Sequence, residues 1–578
     1  MRKCIYISLL MCIGLSGAYA QTFDPFSLFG KGNPLKLSGG FNTSFLYNYS
    51  SQSTGDANPF IFVVGGNLNL FFKGINIPID ITYSNAQFST RFQPIPFNKV
   101  AIHPHYKFLT LHAGSIALAF SPYTLNGFQF NGAGVEMAPG KLKVIVLGGK
   151  FLKGSGDYTL DPEAPPTFGR FGKGLAGTYK FENLTVGINI FHAKDDSASA
   201  FNIPVEQVIK PKENLVSSVT MNGTFLRKLN VSGELANSVL TDDITSPLAY
   251  SGNKGGVASL LHANGTTSGK NAMNVRMAYS IKVVNLGLSY EKVDFNYQTL
   301  GSLYTTNGFE NTGITLGFPM FNGKLNINSQ IGLQNDLVDD TTFSQKSGRL
   351  STSFAVSYTP TQKLSFSGSY NNNKNVTNFK NLNSIATQNN LVPFYLDSLR
   401  LVQLNTNANL SANYQLLATP EENRTINAAY SYQKGDQKQG DYFVDEQGSK
   451  FQNASLNFFT VYPKREVKWN FSLNYTSVIQ GNPDNNSTAY GVSFNFGKKF
   501  FNKTVGVTLG SGYNTTSTIA NNLRVNVANF KTTVSYIYAK KHVFNLNGIF
   551  QNQSKSSLIK DNNSNTTAAL SLTYNFNF

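Results

Sequence analysis

The last eleven residues of the chain, AALSLTYNFNF, alternate apolar and polar side chains without a break. Because residues two apart lie on the same face of a β-strand, this segment predicts a strand with one apolar and one polar face. The apolar positions are Ala568, Leu570, Leu572, Tyr574, Phe576 and Phe578. A strand that crosses a bilayer needs about 9 to 11 residues. The segment is therefore long enough to span a membrane.

The same period of two recurs along most of the chain from residue 35. Leu35 to Tyr49, Phe60 to Phe72 and Val505 to Tyr513 each put apolar side chains on one face, and Val402 to Tyr414 sets leucine and alanine against asparagine. Lipid offers the backbone no hydrogen-bond partner, so a sheet in a bilayer must close on itself. We therefore predict an all-β fold, a transmembrane antiparallel up-and-down β-barrel over residues 35–578 whose polar faces line a lumen.

Short turns and long polar links alternate along the chain, as they do in a barrel with short periplasmic turns and long outer loops. This alternation requires residues 85–125 to contribute either no spanning strand or two, and Tyr297 to Thr305 likewise. The sequence then predicts about 24 strands, or about 26 if the first region forms a pair, and an even number in both cases.

Composition excludes several other classes of protein. Charged residues make up 14% of the chain and aromatic residues 13%, whereas soluble domains have about 25% charged residues. No apolar run after residue 20 approaches the roughly 18 residues of a membrane helix. The formal net charge is +17, but the cations are scattered instead of gathered on one face, so nucleic acid is not an expected partner.

The N-terminus has the features of a cleaved export signal. Arg2 and Lys3 precede a short apolar stretch, and residues 16–20 (SGAYA) end in a small-x-small cleavage pattern. We predict a signal peptide over residues 1–20 and a short periplasmic arm over residues 21–34. Both cysteines, Cys4 and Cys12, lie in the predicted signal peptide, so the mature chain is expected to lack thiols and disulfides.

The C-terminal pattern resembles the last strand of bacterial outer-membrane barrels, in which a closing aromatic residue is the assembly signal. The resemblance implies that Tyr574, Phe576 and Phe578 form such a signal and that the barrel-assembly machinery and outer-membrane lipid are partners. It also implies a location in the bacterial outer membrane.

Basic residues concentrate in the short turns. Such a ring of cations at the periplasmic rim could bind anionic phospholipid or an acidic partner, although turns that merely stay soluble would look the same. The members of this predicted rim are Lys73, Lys141, Arg227, Lys228, Lys464, Arg465, Lys498, Lys499, Lys540 and Lys541.

Acidic pairs begin three predicted outer loops and are weak candidates for calcium sites, because hard cations take several carboxylate oxygens. Solvated loop charges explain the same pattern. The pairs are Asp195 with Asp196, Asp242 with Asp243, and Asp339 with Asp340. His103, His105 and His112 lack an evident further metal ligand. No phosphate-binding loop or nucleophile motif is present, so we predict no cofactor and no enzymatic activity.

Several stretches between residues 100 and 420 resemble a family of large outer-membrane barrels from Bacteroidota. They are HAGSIALAFSPYTLNGFQFNGAGVEMAPG from His112, FHAKDDSAS from Phe191, PKENLV from Pro211, GELANSVLTDD from Gly233, GFENTGITL from Gly308 and GLQNDL from Gly332. Those bacteria export proteins through the type 9 system, whose translocon barrel is closed by a partner called the Plug. The resemblance implies a role beside such a translocon.

A barrel of this size needs something in its lumen, because barrels of about 16 to 18 strands already leave an aqueous channel. We expect inward-folded segments, with 85–125 and 242–270 as candidate lumen-filling or loop segments, or a partner. Two functional hypotheses follow: a gated or plugged pore for transport or protein secretion, and a non-conducting barrel that serves as a gate, plug or scaffold of a type 9 translocon. A surface adhesin or enzyme is a weaker alternative.

Overall fold

The computed structural model describes residues 35–51, 60–85, 98–157, 159, 166–203, 209–250, 261–281, 283–302, 305–337, 345–380, 398–439, 442–443, 448–519, 522–557 and 563–578. The predicted signal peptide, the predicted periplasmic arm, Asp339 and Asp340 lie outside these ranges.

Most of the described residues lie in β-strands. The first are β1 (Leu35–Ser50), β2 (Phe60–Phe72), β3 (Ile75–Ser84), β4 (Lys99–Ile102), β5 (His105–Tyr106), β6 (Leu109–Ala117), β7 (Leu125–Asn126), β8 (Gln129–Met137), β9 (Leu142–Leu152), β10 (Gly156–Asp157) and β11 (Gly169–Lys180). The next are β12 (Leu184–Asp196), β13 (Ala200–Phe201), β14 (Glu213–Phe225), β15 (Leu229–Thr241), β16 (Thr267–Ile281), β17 (Val284–Val293), β18 (Gly301–Ser302), β19 (Phe309–Met320), β20 (Leu325–Asp336), β21 (Gln345–Thr361) and β22 (Leu364–Lys380).

The remaining strands are β23 (Ser398–Ala418), β24 (Asn423–Gln439), β25 (Tyr442–Phe443), β26 (Ser449–Tyr462), β27 (Val467–Gln480), β28 (Ser487–Phe500), β29 (Val505–Thr518), β30 (Leu523–Tyr538), β31 (His542–Ser556) and β32 (Asn563–Asn577). Single 3₁₀ turns occur at Ser197–Ser199 and Pro483–Asn485. Among the residues that the structure describes, none lies in a helix of the length and apolarity needed to cross a bilayer.

The long strands form one sheet that closes on itself. Each pairs antiparallel with the long strand that follows it, and β1 pairs with both β2 and β32. The short strands β4 and β5 together occupy one place in this wall, between β3 and β6. Counted in this way, the described residues form a closed antiparallel barrel of 26 strands. The predicted fold class is confirmed.

The regions 85–125 and 297–305, for which the sequence allowed either no spanning strand or two, differ in the structure. The described part of 85–125 supplies a pair of wall strands, β4 with β5 and then β6, which gives the larger of the two predicted counts. Residues 297–302 supply no wall strand, because β18 pairs only with β7, in a separate two-stranded sheet.

The two faces of the wall differ as the alternation predicts. On β12, Ile188 and Ile190 are 56% and 42% exposed, whereas Asn189 and Phe191 are buried. Large exposed apolar side chains continue around the wall, for example Leu410, Tyr490 and Phe530. In a barrel closed within lipid this apolar face points outward, and the face with amides and hydroxyls points into the lumen.

The buried core is confined to one side of the interior. One cluster contains Phe130, Phe151 and Phe191 from the wall together with Leu125 and Leu300, which do not belong to it. A second contains Ala236, Ala272, Val293 and Phe309 from the wall together with Tyr123 and Tyr297. Two segments outside the wall therefore pack against its inner face.

Candidate functional site inside the barrel

The two inward segments, which we call the clamp, are residues 118–128 and 294–302. The first connects β6 to β8, and the second follows β17. They meet through a short parallel sheet in which Leu125 pairs with Gly301 and Asn126 with Ser302. Segments that are 176 residues apart in the chain are thereby joined inside the lumen.

Side chains reinforce the junction between the two segments. The Tyr297 hydroxyl donates to the carbonyl oxygen of Tyr123 at 2.8 Å, and the Thr299 hydroxyl donates to the carbonyl oxygen of Thr124 at 2.5 Å. The rings of Tyr123 and Tyr297 make an edge contact with centroids 6.2 Å apart. Tyr297 and Thr124 are fully buried. The clamp is thus a packed unit with its own internal bonds.

Polar bonds fix the clamp to three strands of the wall, β14, β15 and β17. The Tyr123 hydroxyl donates to Oε1 of Glu291 on β17 at 2.6 Å, and the Ser238 hydroxyl on β15 donates to the carbonyl oxygen of Gln298 at 2.6 Å. The backbone N–H of Leu300 donates to Oδ1 of Asn214 on β14 at 3.0 Å. All of these wall residues lie on the inner face, so the clamp is bonded to the lumen side.

Small wall residues make room for the apolar side of the clamp. A Cβ at Gly174 would lie 2.5 Å from the Phe120 ring, and one at Gly134 would lie 2.7 Å from Leu118. In the clamp itself, a Cβ at Gly301 would lie 2.6 Å from the carbonyl oxygen of Thr124 and 2.8 Å from the Phe191 ring. Glycine is therefore required at position 301, where a Cβ would meet backbone, whereas a Cβ at 174 or 134 would displace the Phe120 or Leu118 side chain.

Burial controls the ionisation of both clamp tyrosines. Desolvation, followed by the nearby carboxylate of Glu234 and by Tyr123, raises the pKa of Tyr297 far above its ordinary value. Desolvation and the hydrogen bond to Glu291 likewise raise the pKa of Tyr123. Glu234 is 5% exposed, and its Oε1 has no hydrogen-bond partner among the described residues. The docked clamp therefore requires neutral tyrosines.

Two further arcs of the inner face differ in chemistry. The amide arc, on β20 to β26, is a ladder of amides and hydroxyls. Ser367 and Ser411 are joined by a hydrogen bond of 2.6 Å, the Asn409 amide donates to Ser369 at 3.3 Å, and the Asn457 amide donates to Asn427 at 3.4 Å. In the described parts of β22 to β24, the inward positions from 365 to 375, 403 to 415 and 425 to 437 carry no charged residue.

The lysine arc is the inner face of β27, β28, β29 and β30. It carries Lys468, Lys499 and Lys531, all of which are exposed. The register places Lys468 opposite Gly497, Lys499 opposite Gly506 and Lys531 opposite Gly510. This side of the lumen is cationic.

At the end of the barrel with the long loops, the loop residue His262 contacts Glu213 on the outward face of the wall. Glu213 is 2% exposed; its Oε1 lies 3.0 Å from Nε2 of His192, and its Oε2 lies 2.9 Å from Nδ1 of His262. Because Asn214 points inward, its neighbour Glu213 points outward. The described part of 242–270 that contains His262 therefore lies against the outside of the wall, and the part from Thr267 onward belongs to β16.

The acidic residues singled out from the sequence are engaged within the protein. Asp195 forms a bidentate ion pair with Arg170, with distances of 2.7 and 3.2 Å. Asp196 caps the 3₁₀ turn by accepting from the backbone of Ala198. Asp242 lies 2.8 Å from Nζ of Lys212. No group of three or more His, Cys, Asp or Glu side chains able to hold a metal occurs among the described residues.

Asp243 forms a turn with Thr245, and this turn lies in a loop outside the wall. Hydrogen bonds from the Thr245 side chain and backbone, together with Lys210, hold the pKa of Asp243 below its ordinary value. The contribution of these bonds is present above the ordinary pKa and is lost as the pH falls through the lowered one.

The candidate histidines lie on or beside β4 to β6. Nδ1 of His103 lies 2.8 Å from Nδ1 of His112, and Nδ1 of His105 lies 2.8 Å from the hydroxyl of Thr110. A carboxylate oxygen of Asp80 lies 3.8 Å from His103.

Most residues of the predicted basic rim lie in short turns, but Lys498 and Lys499 do not. Because β28 continues to Phe500, Lys498 and Lys499 lie in the strand and not in the turn. Lys498 faces outward over the ring of Phe500, whereas Lys499 faces the lumen. Among the others, Lys464 pairs with Glu421 at 2.7 Å and Arg465 lies over Tyr462. Lys73, Arg227 and Lys540 have positive φ, as turn residues.

The C-terminal aromatic residues lie at the seam where the barrel closes. Phe576 pairs with Phe41 and Tyr574 with Thr43 on β1. Phe578 exchanges two backbone hydrogen bonds with Gly39, of 3.1 and 3.0 Å. Their role as an assembly signal remains a prediction from resemblance.

Comparison with known proteins gives only remote matches. No protein-family model matches the chain, and no curated protein matches it. Among solved structures, OpdQ of Pseudomonas aeruginosa is 10% identical over 65% of this chain and 97% of its own, with a TM-score of 0.34. BauA, the ferric preacinetobactin receptor of Acinetobacter baumannii, is 10% identical over 94% and 81%, with a TM-score of 0.36. The P pilus usher pore PapC is 8% identical over 94% and 99%, with a TM-score of 0.35.

At these identities and scores the likeness does not identify a family for this chain. The chain's own pairing and packing define a large transmembrane β-barrel. One side of its interior is occupied by a clamp, and the other side presents amides and lysines.

Proposed function

We propose that the chain forms a gated transport pore in the outer membrane, with the clamp narrowing one side of the lumen. The observation that carries the proposal is that buried side chains pack on one side of the interior, whereas polar side chains line the other side. Every residue of the two buried clusters lies in the clamp or in the wall from β4 to β19. The amide and lysine arcs have polar inner faces suited to contact with water, as in the lumen of a porin.

Reconstitution into planar bilayers and liposomes tests transport. We expect discrete conductance steps and swelling of liposomes in solutions of small uncharged sugars, because the inward positions of β22 to β24 offer hydrogen bonds without charge. The protein is refolded in detergent, and a sample whose unheated band migrates differently from its boiled band is taken as folded. Boiled protein is the control. Silence in both assays from folded protein would overturn the transport proposal.

That outcome would favour the other role inferred from resemblance, in which the barrel is a non-conducting gate or scaffold beside a type 9 secretion translocon. Capture of translocon components by a tagged copy from native outer membranes would then be the supporting observation. Secretion through this barrel is a finer proposal that the same capture experiment addresses.

The clamp tyrosines predict that alkaline pH opens the pore. Docked tyrosines must stay neutral, whereas released ones ionise near their ordinary pKa of about 10. The docking free energy is therefore constant below that pH and falls as the pH rises above it. We expect the conductance to increase reversibly between about pH 10 and pH 11. The double variant Tyr123→Phe with Tyr297→Phe should show no such increase, and an equal response in both proteins would contradict the clamp as the titrating element.

A further inference from the structure

Three lysines of the lysine arc share one stretch of the inner wall. Lys468 lies on β27, Lys499 on β28 and Lys531 on β30. Their inward direction follows from cross-strand contacts. A Cβ at Gly497 would lie 2.8 Å from Cε of Lys468, and one at Gly510 would lie 3.7 Å from Cβ of Lys531. Gly497 and Gly510 share this face with Asn495, whose amide bonds to Asn470 at 3.3 Å.

Side chains next to these lysines in the chain point the other way. Trp469 packs against Phe458 and Phe494 on the outward face, and Phe530 is 58% exposed there. Because successive side chains of a strand point to opposite faces, Lys468 beside Trp469 and Lys531 beside Phe530 face the lumen.

Glycines form the floor beneath the lysines. Gly497, Gly506 and Gly510 are their direct cross-strand partners. A glycine adds no side chain to the lumen surface, so the lysine side chains lie above bare backbone and their ammonium groups are left in the lumen. The strip formed by Lys468, Lys499 and Lys531 is therefore open to a solute.

These lysines also lack counter-charges. Within the described residues, no carboxylate oxygen lies within 4.0 Å of their ammonium groups. On the clamp side of the interior two inward cations are paired, Lys143 with Glu136 at 2.8 Å and Arg170 with Asp195 at 2.7 Å, whereas Lys270 and Arg276 on β16 also face the lumen. The three lysines of the strip therefore add positive charge, without carboxylate partners, to the lumen surface of β27 to β30.

We propose that this strip makes the pore select small anionic solutes that carry carboxylate or phosphate groups. The inference rests on the proposed transport function. A lumen wall of one sign raises the local concentration of the opposite ion, and lysines or arginines line pores for anions and phosphate. The inward positions of β22 to β24, which carry no charged residue, do not oppose this preference.

The reversal potential in a gradient of KCl tests the proposal. The wild-type pore should favour chloride over potassium, most clearly at low salt, because the Debye length is about 10 Å at 0.1 M and about 30 Å at 0.01 M. The triple variant Lys468→Gln, Lys499→Gln, Lys531→Gln should bring the permeability ratio toward unity, and Lys531→Glu alone should lower it. If the triple variant does not fold, the single variant Lys531→Gln, expected to give part of the loss, takes its place.

Lys498→Gln is the matched control. It removes the same charge from the neighbouring residue, but Lys498 faces outward over Phe500, 5.1 Å from the ring centroid. We expect it to leave the selectivity unchanged. A wild-type pore without chloride preference, or equal losses in the Lys498→Gln and Lys499→Gln variants, would overturn the lysine strip while leaving transport intact. Absence of conductance steps would instead overturn the transport function and the selectivity with it.

Discussion

Replacing Tyr297 with alanine should raise the single-channel conductance more than any other single substitution in the clamp. The ring is fully buried between Tyr123 and the wall residues Ala236, Ala272, Val293 and Phe309. Loss of a buried aromatic side chain costs about 3 to 5 kcal/mol. The cost falls on the contact that joins the clamp to the wall, because the barrel itself is held by its backbone ladder. The clamp should therefore undock while the barrel stays closed.

Two variants separate this effect from general damage. Tyr297→Phe removes the hydroxyl that donates to the carbonyl oxygen of Tyr123 and keeps the ring, so it should cost only about 1 kcal/mol and change the conductance little. Tyr490→Ala truncates an outward ring that is 59% exposed and should leave the conductance unchanged. If Tyr297→Ala runs as a folded barrel with wild-type conductance, the clamp does not restrict the lumen.

The wall of the barrel could be predicted from the sequence because its strands are specified by neighbouring residues. Alternation such as that of Leu404 to Tyr414 follows from the geometry of a strand, and each long strand pairs with the next one along the chain. The even strand number came from the order of turns and loops. The choice between the two counts needed the structure, because the wall strands β4, β5 and β6 are short and interrupted.

The clamp could not be predicted, because its contacts join distant segments. The alternation of apolar and polar side chains stops between Leu118 and Phe128. The alternation of short turns and long links is also satisfied when residues 297–305 contribute no spanning strand. Neither signal shows that Tyr123 meets Tyr297, since that contact exists only after the barrel has placed β6, β8 and β17 around one lumen. The loop residue His262, in a segment considered for the lumen, instead contacts Glu213 on the outside.

The partners of the charged residues could not be predicted either, because they too depend on contacts between different strands. From the sequence, Asp195 and Asp196 form one acidic pair, and Lys498 and Lys499 form one basic pair. The alternation of a strand sends the two members of each pair in different directions, and the cross-strand register then decides what each one meets. Asp195 meets Arg170, and Lys499 meets the open lumen above Gly506. Register depends on every preceding turn, so a count of charges along the chain does not reveal it.

Replacing Asp195 with alanine should strongly destabilise the barrel. Asp195 is 4% exposed, and its partner Arg170 is 15% exposed, so the variant leaves a nearly buried guanidinium without its carboxylate. Breaking a buried ion pair in this way costs about 3 to 5 kcal/mol. The backbone N–H of Lys212, which donates to Oδ2 of Asp195 at 3.1 Å, also loses its acceptor. The temperature at which the folded band disappears on unheated gels measures the loss.

The neighbouring residue provides the control for that prediction. Asp196 is exposed and only caps a short 3₁₀ turn, so Asp196→Ala should cost about 1 kcal/mol. The double variant Arg170→Ala with Asp195→Ala should recover part of the loss, because it removes the unpaired charge together with the pair. Equal unfolding temperatures for Asp195→Ala and Asp196→Ala would show that the pair does not stabilise the wall. In that case the positive charge of Arg170 must be solvated from the lumen, and water must reach the inner face of β11 and β12 beside the clamp.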